Sequence, residues 1–301
     1  MSSALAVIGR GRGLGGVLRG LRELDAELAV IVATAEYVTS GGSPQPAGPG
    51  RPEITELRQS LQALSDDEVA LARALRRPLT IERLGRHPIG NLVIQSLASA
   101  FGDLGTASAW LGGQLGISGS VLPTTLDNLT FTVETGLPAP GEPAPRWSQA
   151  LDRVVFTPER PRVTVTVIRA ISQARVALLA PGSLFRSVLV AAAVPDITRM
   201  LAATRARIIW ICNLRPEGGE TANDQFEVLR RHRIRVDAVL HDPAAALRLD
   251  PEPLAAQGVQ VIPRPLCGAT PGVHDGKLLR AAVSELLASA ATSTSDASHR
   301  G

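Results

Sequence analysis

A glycine-rich segment directly after a short apolar run constrains this chain more than any other feature. Residues 5–8 (LAVI) are apolar and lead into residues 9–16 (GRGRGLGG). Apolar residues then recur at helical spacing, and residues 28–33 form a second apolar run. This order of strand, glycine turn, helix and strand predicts a βαβ unit that belongs to a buried parallel sheet.

The glycine segment also predicts an anion site. Glycine tolerates positive φ and lets a ligand approach the backbone, and a following helix directs free N–H groups toward that ligand. We therefore interpret Gly9, Gly11 and Gly13 as phosphate contacts. Together with Gly16, the last two also satisfy the dinucleotide pattern G-x-G-x-x-G, and Glu36 lies about 20 residues further on, where a ribose-binding acid would stand. The alternative is a tight turn that only packs helix on strand.

Later apolar runs extend the same pattern. Residues 174–179, 208–212 and 236–240 predict further buried strands, and residues 276–288 predict a terminal amphipathic helix. Fold class α/β follows: a Rossmann-like parallel sheet flanked by helices, with a smaller helical and β insertion in the middle of the chain. The predicted organisation is one domain over 1–288, with the framework at about 1–40 and 160–288, the insertion at about 53–157, and a disordered Ser/Thr/Ala-rich tail at 289–301.

Three further loops carry polar groups or glycines next to predicted strands or helices. Pro181-Gly182-Ser183 follows one strand, and Ser183 is a candidate helix cap. His87, Gly90 and Asn91 precede a long helical pattern, and Asn213, Glu220 and Thr221 follow the strand at 208–212. Helix capping, a structural histidine and a solvated turn are the plainer alternatives. Because the carboxyl ends of parallel strands meet at one edge, these loops are expected to form one crevice.

Composition excludes several other classes. Arginine supplies nearly all the positive charge, the net charge is only +3, and aromatic residues make up 3%. No basic stripe or aromatic platform for nucleic acid is evident, so we predict no nucleic-acid partner. No apolar stretch reaches the roughly 20 residues that span a bilayer, so no membrane partner is predicted. The two cysteines form no framework, which favours the cytoplasm.

Six segments, in order along residues 4–285, follow the pattern of a known family: residues 9–15 (GRGRGLG), 87–92 (HPIGNL), 121–125 (VLPTT), 179–187 (LAPGSLFRS), 212–221 (CNLRPEGGET) and 274–278 (HDGKL). They resemble the gluconeogenesis factor (YvcK-like) family, whose superfamily includes the CofD-like phospholactate transferases. The resemblance implies a nucleotide or nucleotide-sugar ligand, of the uridine-diphosphate-sugar type. It also implies a role in carbon metabolism, cell-wall precursor supply or cell shape, a possible protein partner and a possible homo-oligomer.

The sequence departs from that family at its acidic loop. Where the family carries paired aspartates, this chain has Ala35-Glu36-Tyr37, and only residues 40–43 (SGGS) keep part of the motif. Of a later family motif, Arg58 remains. By the resemblance the ligand-binding residues are Gly9, Gly11, Gly13, Ser40, Gly41, Gly42, Arg58, His87, Gly90, Asn91, Pro181, Gly182, Ser183, Asn213, Glu220 and Thr221.

Loss of the paired carboxylates favours binding over catalysis, because phosphoryl-type transfer needs a metal to neutralise charge. We therefore expect no catalytic residue, no metal site and no certain cofactor. Three alternatives stay open. A CofD-like transferase would move a phospholactate-type group onto a deazaflavin with magnesium. A nicotinamide dehydrogenase would use the first glycine loop and Glu36. A degenerate structural protein would bind no ligand.

Overall fold

The computed structural model of the chain describes residues 3–38, 54–81, 85–134 and 153–298. Its centre is a sheet of seven strands, all parallel to their neighbours. Numbered in chain order among all strands, they are β1 (Ser3–Gly9), β2 (Ala26–Val32), β6 (Ser120–Pro123), β9 (Val176–Leu179), β10 (Arg207–Ile211), β11 (Ala238–His241) and β12 (Gln260–Pro263). The α/β Rossmann-like class predicted from the sequence is confirmed.

The order of strands across this sheet is β12-β11-β10-β9-β1-β2-β6. The chain therefore builds outward from β1 in one direction through β2 and β6, and in the other through β9 to β12. The direction reverses between β1 and β9, where Leu5 is in register with Val176. This is the topological switch point, at which open α/β sheets leave a crevice beyond the carboxyl ends of the strands.

Apolar residues cover the sheet on both faces, which is why its strands read as continuous apolar runs. In β1, Leu5 and Val7 belong to the core on one face, and Ala6 and Ile8 belong to the core on the other. All four are at most 1% exposed. The two cores hold the sheet rigid and so fix the loops at its carboxyl edge.

The helices flank this sheet. They are α1 (Gly11–Leu21), α2 (Ile54–Leu64), α3 (Ala70–Arg76), α4 (Ile89–Phe101), α5 (Leu104–Gln114), α6 (Val165–Gln173), α7 (Leu189–Ala192), α8 (Pro195–Ala203), α9 (Ala222–Arg231), α10 (Pro251–Ala255) and α11 (Gly276–Ser298), with a π-helical turn at Leu184–Val188. None of the helices within the described residues has the length and apolar character to cross a membrane.

Two smaller sheets complete the fold. One has the order β3-β7-β8, formed by β3 (Ala35–Tyr37), β7 (Leu129–Glu134) and β8 (Arg153–Thr157). The other is the hairpin of β4 (Pro78–Ile81) and β5 (Gly85–Pro88).

The insertion expected at 53–157 is not a separate unit. Its strand β6 pairs with β2 in the main sheet, with Val121 opposite Val30. From the same region, α2 contributes Leu57 and Leu61 to the core that covers β1 and β2. The middle of the chain therefore supplies an edge strand and a covering helix to the framework.

The segment after β9 is a π-helical turn followed by α7 and α8, with Pro195 at the first position of α8, where proline is tolerated. One helix boundary differs from expectation. The terminal helix α11 continues to Ser298, so residues 289–298 are helical and not a disordered tail. Alanines in this segment favour helix, and it contains no glycine or proline to end it.

Candidate functional site

A cleft of about 910 Å³ lies at the carboxyl edge of the sheet, beside the switch point. The loop after β1 with the start of α1, the Pro181-Gly182 turn after β9, and residues 213–217 after β10 all line it. Residues of α2 and α3 and the segment at 272–274 close its other sides. The crevice that the sequence predicted is therefore formed by loops from distant parts of the chain.

The two glycine loops interlock at the base of the cleft. A Cβ at Gly13 would overlap the Pro181 carbonyl oxygen and lie 2.7 Å from its carbon. A Cβ at Gly9 would lie 2.9 Å from the Ala180 Cβ. These glycines are therefore required by the contact between loops, whether or not a ligand also approaches them. Gly182 has a φ of +149°, which side-chain-bearing residues rarely adopt.

The start of α1 is capped by a carboxylate of the chain itself. The Gly11 N–H donates a 2.6 Å hydrogen bond to Glu56 Oε2, and the Arg10 guanidinium lies 3.5 Å from Glu56 Oε1. Both side chains of this ion pair are 14% exposed. Glu56 therefore stands where the sequence placed a phosphate, at the positive end of the helix.

The acid expected to bind a ribose is placed differently from a dinucleotide-binding site. Glu36 lies in β3 of the small sheet, beyond the end of β2 at Val32. Its Oε1 is buried and has no hydrogen-bond partner among the described residues. With Glu56 on Gly11 as well, the arrangement that would support a nicotinamide dehydrogenase is not formed.

One face of α1 lines the cleft with arginines and glycines. Arg12, Gly15, Gly16 and Arg19 recur at i, i+3, i+4 and i+7, which places them on one side of a helix, and all four line the cleft. Nothing lies within 4 Å of the point where a Cβ at Gly16 would stand. Both arginine side chains are exposed, and among the described residues neither guanidinium has a hydrogen bond or a close ion pair. Besides a hydrogen bond from another arginine, the charge of Arg19 nevertheless helps to lower the pKa of the Asp67 carboxyl.

Asn213 clamps the second glycine loop. Its Oδ1 accepts a 2.8 Å hydrogen bond from the Gly182 N–H, and its Nδ2 donates a 2.9 Å bond to the Gly182 carbonyl. The Asn213 amide, which was predicted to bind a ligand, therefore uses its oxygen and one of its N–H groups to bond the loop. It positions Pro181 and Gly182 at the wall of the cleft.

Glu220 and Thr221 are also committed within the protein. Glu220 is 4% exposed and accepts backbone N–H bonds from Glu217 and Gly218 and a side-chain bond from Gln225. Burial acts to raise the pKa of this carboxyl, but these donors outweigh it and hold the pKa below its ordinary value. Thr221 caps α9 in a capping box with Asp224.

Ser183 does not cap the turn that follows it, contrary to expectation. Its side chain interacts with the Glu217 carboxylate and, against the larger effect of burial, acts to lower the pKa of that group. Glu217 lines the cleft, and desolvation raises the pKa of its carboxyl, with a smaller contribution from the negative charge of Glu220. The only feature of the sequence that points to Glu217 is its place after the β10 strand.

Arg58, Gly90 and Asn91 lie together beneath one wall of the cleft. Arg58 is 9% exposed, and it donates 2.7 Å bonds to Asn91 Oδ1 and Gln62 Oε1. Burial lowers the pKa of its guanidinium. A Cβ at Gly90 would lie 2.5 Å from the Arg58 Cδ, so only glycine lets α4 approach α2 here. These three predicted ligand contacts join two helices.

The remaining predicted residues are placed only in part. His87 lies in β5, opposite Leu79, and its side chain is outside what the structure describes. Ser40, Gly41 and Gly42 lie outside the described residues altogether. Within the described ranges, no three His, Cys, Asp or Glu side chains come together as a metal site.

His274 lines the cleft. The sequence indicated this histidine only as part of the family motif at residues 274–278. Its Nε2 lies 3.0 Å from the Cys212 carbonyl oxygen. Since a carbonyl only accepts, Nε2 carries the proton in this contact. Burial lowers the pKa of the imidazole, so it is neutral at neutral pH. Its Nδ1 is then an acceptor at the cleft wall.

A family model described as 2-phospho-L-lactate transferase CofD matches residues 5–266. That span includes both glycine loops, six whole strands of the main sheet together with all of β1 but its first two residues, and most of the cleft. The chain belongs to the CofD family. Membership confirms the superfamily inferred from the six sequence segments.

Relatives within the family carry the name expected from the sequence. The gluconeogenesis factor of Halalkalibacterium halodurans is 30% identical over 241 residues, which cover 76% of this chain and 73% of that protein. A protein of Nostoc sp., provisionally given the same name, is 32% identical over 226 residues, covering 72% of this chain and 48% of its own length. A Deinococcus radiodurans relative, also provisionally named so, is 30% identical over 76% of this chain and 50% of itself. The chain thus spans about half the length of these last two relatives.

A solved structure agrees with the fold. The crystal structure of a member of the UPF0052 family from Bacillus halodurans superposes with a TM-score of 0.79 at 25% sequence identity. The superposition covers 94% of this chain and 99% of that protein.

Proposed function

We propose that this chain binds a nucleotide or nucleotide-sugar, of the uridine-diphosphate-sugar type, in the cleft. By this proposal it acts without catalysis in the cytoplasm, as a regulator of carbon metabolism, cell-wall precursor supply or cell shape. The observation that carries it is the position of the cleft at the switch point, between two interlocked glycine loops. Its volume of about 910 Å³ lies within the range of ligand pockets for small molecules.

The charge of the cleft supports an anionic ligand. Arg12, Arg19, Arg76 and Arg215 line it, against the two carboxylates of Asp67 and Glu217. Arg76 is paired with Asp67, and Arg215 donates to the Pro271 carbonyl. The other two arginines form no hydrogen bond or ion pair in the described parts of the chain, although, besides Arg76, the charge of Arg19 helps to lower the pKa of the Asp67 carboxyl. Arginine suits phosphate because its planar fork donates two parallel hydrogen bonds.

Titration calorimetry with uridine-diphosphate glucose and uridine-diphosphate N-acetylglucosamine tests the binding half of this proposal. Adenosine and guanosine nucleotides serve as comparison ligands. Uridine without phosphate measures how much the nucleoside contributes to the affinity. We expect saturable binding of at least one phosphorylated ligand, weakening as salt is raised, since exposed charges are screened. Absence of binding to all of them would overturn the proposal.

The regulatory half needs a partner and a phenotype. We propose that occupancy of the cleft is relayed to a protein partner, and that the chain assembles as a homo-oligomer. Growth and cell shape of a deletion strain on gluconeogenic carbon, with and without the gene restored, test the first part. Light scattering with and without nucleotide tests the second, and a monomer in both conditions would contradict it.

A CofD-like transferase is the second candidate, and the family match favours it. Such an enzyme would form a bond between an acceptor hydroxyl oxygen of a deazaflavin and the donor phosphorus, and release the nucleotide as leaving group. It would need magnesium on the phosphates, and the described residues offer no cluster of three metal-ligating side chains. Metal-dependent release of nucleotide in the presence of a deazaflavin acceptor would establish this activity.

A further inference from the structure

The helix N-terminus that usually receives a phosphate in folds of this class is already filled. The Gly11 N–H donates to Glu56, and Glu56 is also paired with Arg10. A phosphate arriving there would have to displace a carboxylate from both of its partners. Two arginines of the cleft that form no hydrogen bond or ion pair in the described residues follow on α1: Arg12, one residue after Gly11, and Arg19, about two turns further along.

Between those arginines, Gly15 and Gly16 lie on the same face of the helix, and both line the cleft. The Arg19 Nη1 lies 3.7 Å from the Cβ position at Gly15, whereas Gly16 is uncovered. No heavy atom stands within 4 Å of a Cβ position at Gly16, so the surface opens directly into the cavity. Glycine inside a helix costs about 0.5–1 kcal/mol relative to alanine. Two in succession therefore weaken α1 without any packing need at Gly16.

We infer that the phosphate groups of the ligand lie on this glycine floor at Gly16, between the guanidinium groups of Arg12 and Arg19, and not on the Gly11 N–H. The inference rests on the proposed function, and it names the subsite and the chemistry: a diphosphate held by two arginines across two turns of helix. The floor admits the phosphates close to the helix, and the two cations contact them from either end.

The test combines variants with calorimetry, using uridine-diphosphate glucose and inorganic pyrophosphate as probes. Arg12→Gln and Arg19→Gln each remove a charge-assisted contact and should weaken binding by about tenfold or more. Arg205→Gln is the matched control, because it removes one exposed arginine at the amino edge of the sheet, before β10. It should leave affinity within about twofold, since surface charges far from the site are screened.

Gly16→Leu separates binding from folding. A Cβ at this position meets no neighbour within 4 Å, and leucine is the better helix former, so the thermal midpoint should stay level or rise, while the side chain extends over the glycine floor. Binding of both probes should fall by about tenfold or more. Gly113→Leu in α5 is the control, because that position is exposed, has no neighbour within 4 Å of a Cβ and lies outside the cleft. Its thermal midpoint should change in the same way as that of the Gly16 variant, and binding of both probes should not change.

Each outcome decides one claim. Binding of the nucleotide sugar that is insensitive to all three cleft variants would overturn the inference and leave the proposed function standing. Binding of pyrophosphate alone, lost in the variants, would support the subsite and contradict the nucleotide-sugar function. No binding of either probe to the unaltered protein would overturn both.

Discussion

The Gly11 backbone N–H donates to the Glu56 carboxylate over 2.6 Å, so a side chain from α2 occupies the anion position at the start of α1. The bond ties the loop after β1 to a helix 45 residues later in the chain. It also neutralises Arg10, one of the two arginines that interrupt the first glycine loop. The loop is therefore satisfied internally, and its second arginine, Arg12, is left to the cleft.

Replacing Glu56 with alanine should expose this position. The variant loses a hydrogen bond from a helix terminus and a half-buried ion pair, so we expect a loss of about 1–3 kcal/mol in the free energy of unfolding. Denaturant titration measures it, with the exposed Glu159→Ala as control, for which a change within about 0.5 kcal/mol is expected. Sulfate at matched ionic strength should stabilise the Glu56 variant more than the unaltered protein. Equal stabilisation of both would argue against an anion position at Gly11.

The close contact of Gly13 with Pro181 predicts strong intolerance of a side chain. Gly13→Ala would place a methyl group onto the Pro181 carbonyl, and overpacking of this kind costs about 1–3 kcal/mol or more. Gly16→Ala, three residues further along the same helix, should instead gain up to about 1 kcal/mol. Thermal unfolding of the two variants side by side gives the comparison. A Gly13 variant as stable as the Gly16 variant would contradict the interlocked loops.

Arg58→Lys should show that the Arg58–Asn91 pair joins helices. Lysine keeps the charge but cannot bond Asn91 and Gln62 together with the planar fork of arginine. We expect a loss of about 1–2 kcal/mol in stability. Calorimetry at a temperature where both proteins are folded should show ligand affinity changed by less than about threefold. A large loss of affinity without loss of stability would mean that Arg58 contacts the ligand.

Asp242 after β11 predicts a dependence of stability on pH. It is 4% exposed and accepts backbone N–H bonds from Ala244, Leu266 and Cys267. Burial acts to raise the pKa of this carboxyl, but the three donors hold the pKa below the ordinary 3.8. Since the folded-state pKa is depressed, the stability it confers is present above the unfolded-state pKa and is lost as the pH falls through the folded-state pKa.

Asp242→Asn is the corresponding variant. Asparagine offers one oxygen to three donors, so we expect a loss of about 1–3 kcal/mol at pH 7. The difference in free energy of unfolding between the variant and the unaltered protein should become smaller as the pH is lowered below about 4. Denaturant titrations at pH 7, 5 and 3.5 measure this difference. A difference that does not depend on pH would contradict the role of the ionised carboxylate.

The framework of this fold could be predicted from the sequence, but its outer parts could not. The buried strands around residues 5–8 and 208–212 were readable because continuous apolar runs beside glycine turns are typical of parallel sheets. The run at Val121–Leu122 is equally short and apolar, and nothing local shows that it pairs with β2 across the molecule. Strand pairing between distant segments is decided by burial that no window of sequence contains.

The location of the site could be predicted from the sequence, but most of the contacts of its residues could not. The loops at Gly11, Gly182 and Asn213 do meet at one edge, as the order of strands required. What the sequence could not show is that Asn213, Glu220 and Arg58 spend their hydrogen bonds on the protein itself. The same types of polar residue follow a strand whether they bond to a loop of the protein or to a ligand. Only the folded structure distinguishes these two roles.

The pairing of β1 with β9 has a consequence for the order in which this protein forms during synthesis. β1 has an early partner in β2, where Leu28 lies beside Leu5, but its other neighbour, Val176 of β9, is made much later, as is the Pro181 that packs on Gly13. Closing so long a loop is entropically costly and slow. A chain halted before residue 213 would lack one wall of the cleft, and the cleft is complete only when residues 272–274 have also been translated.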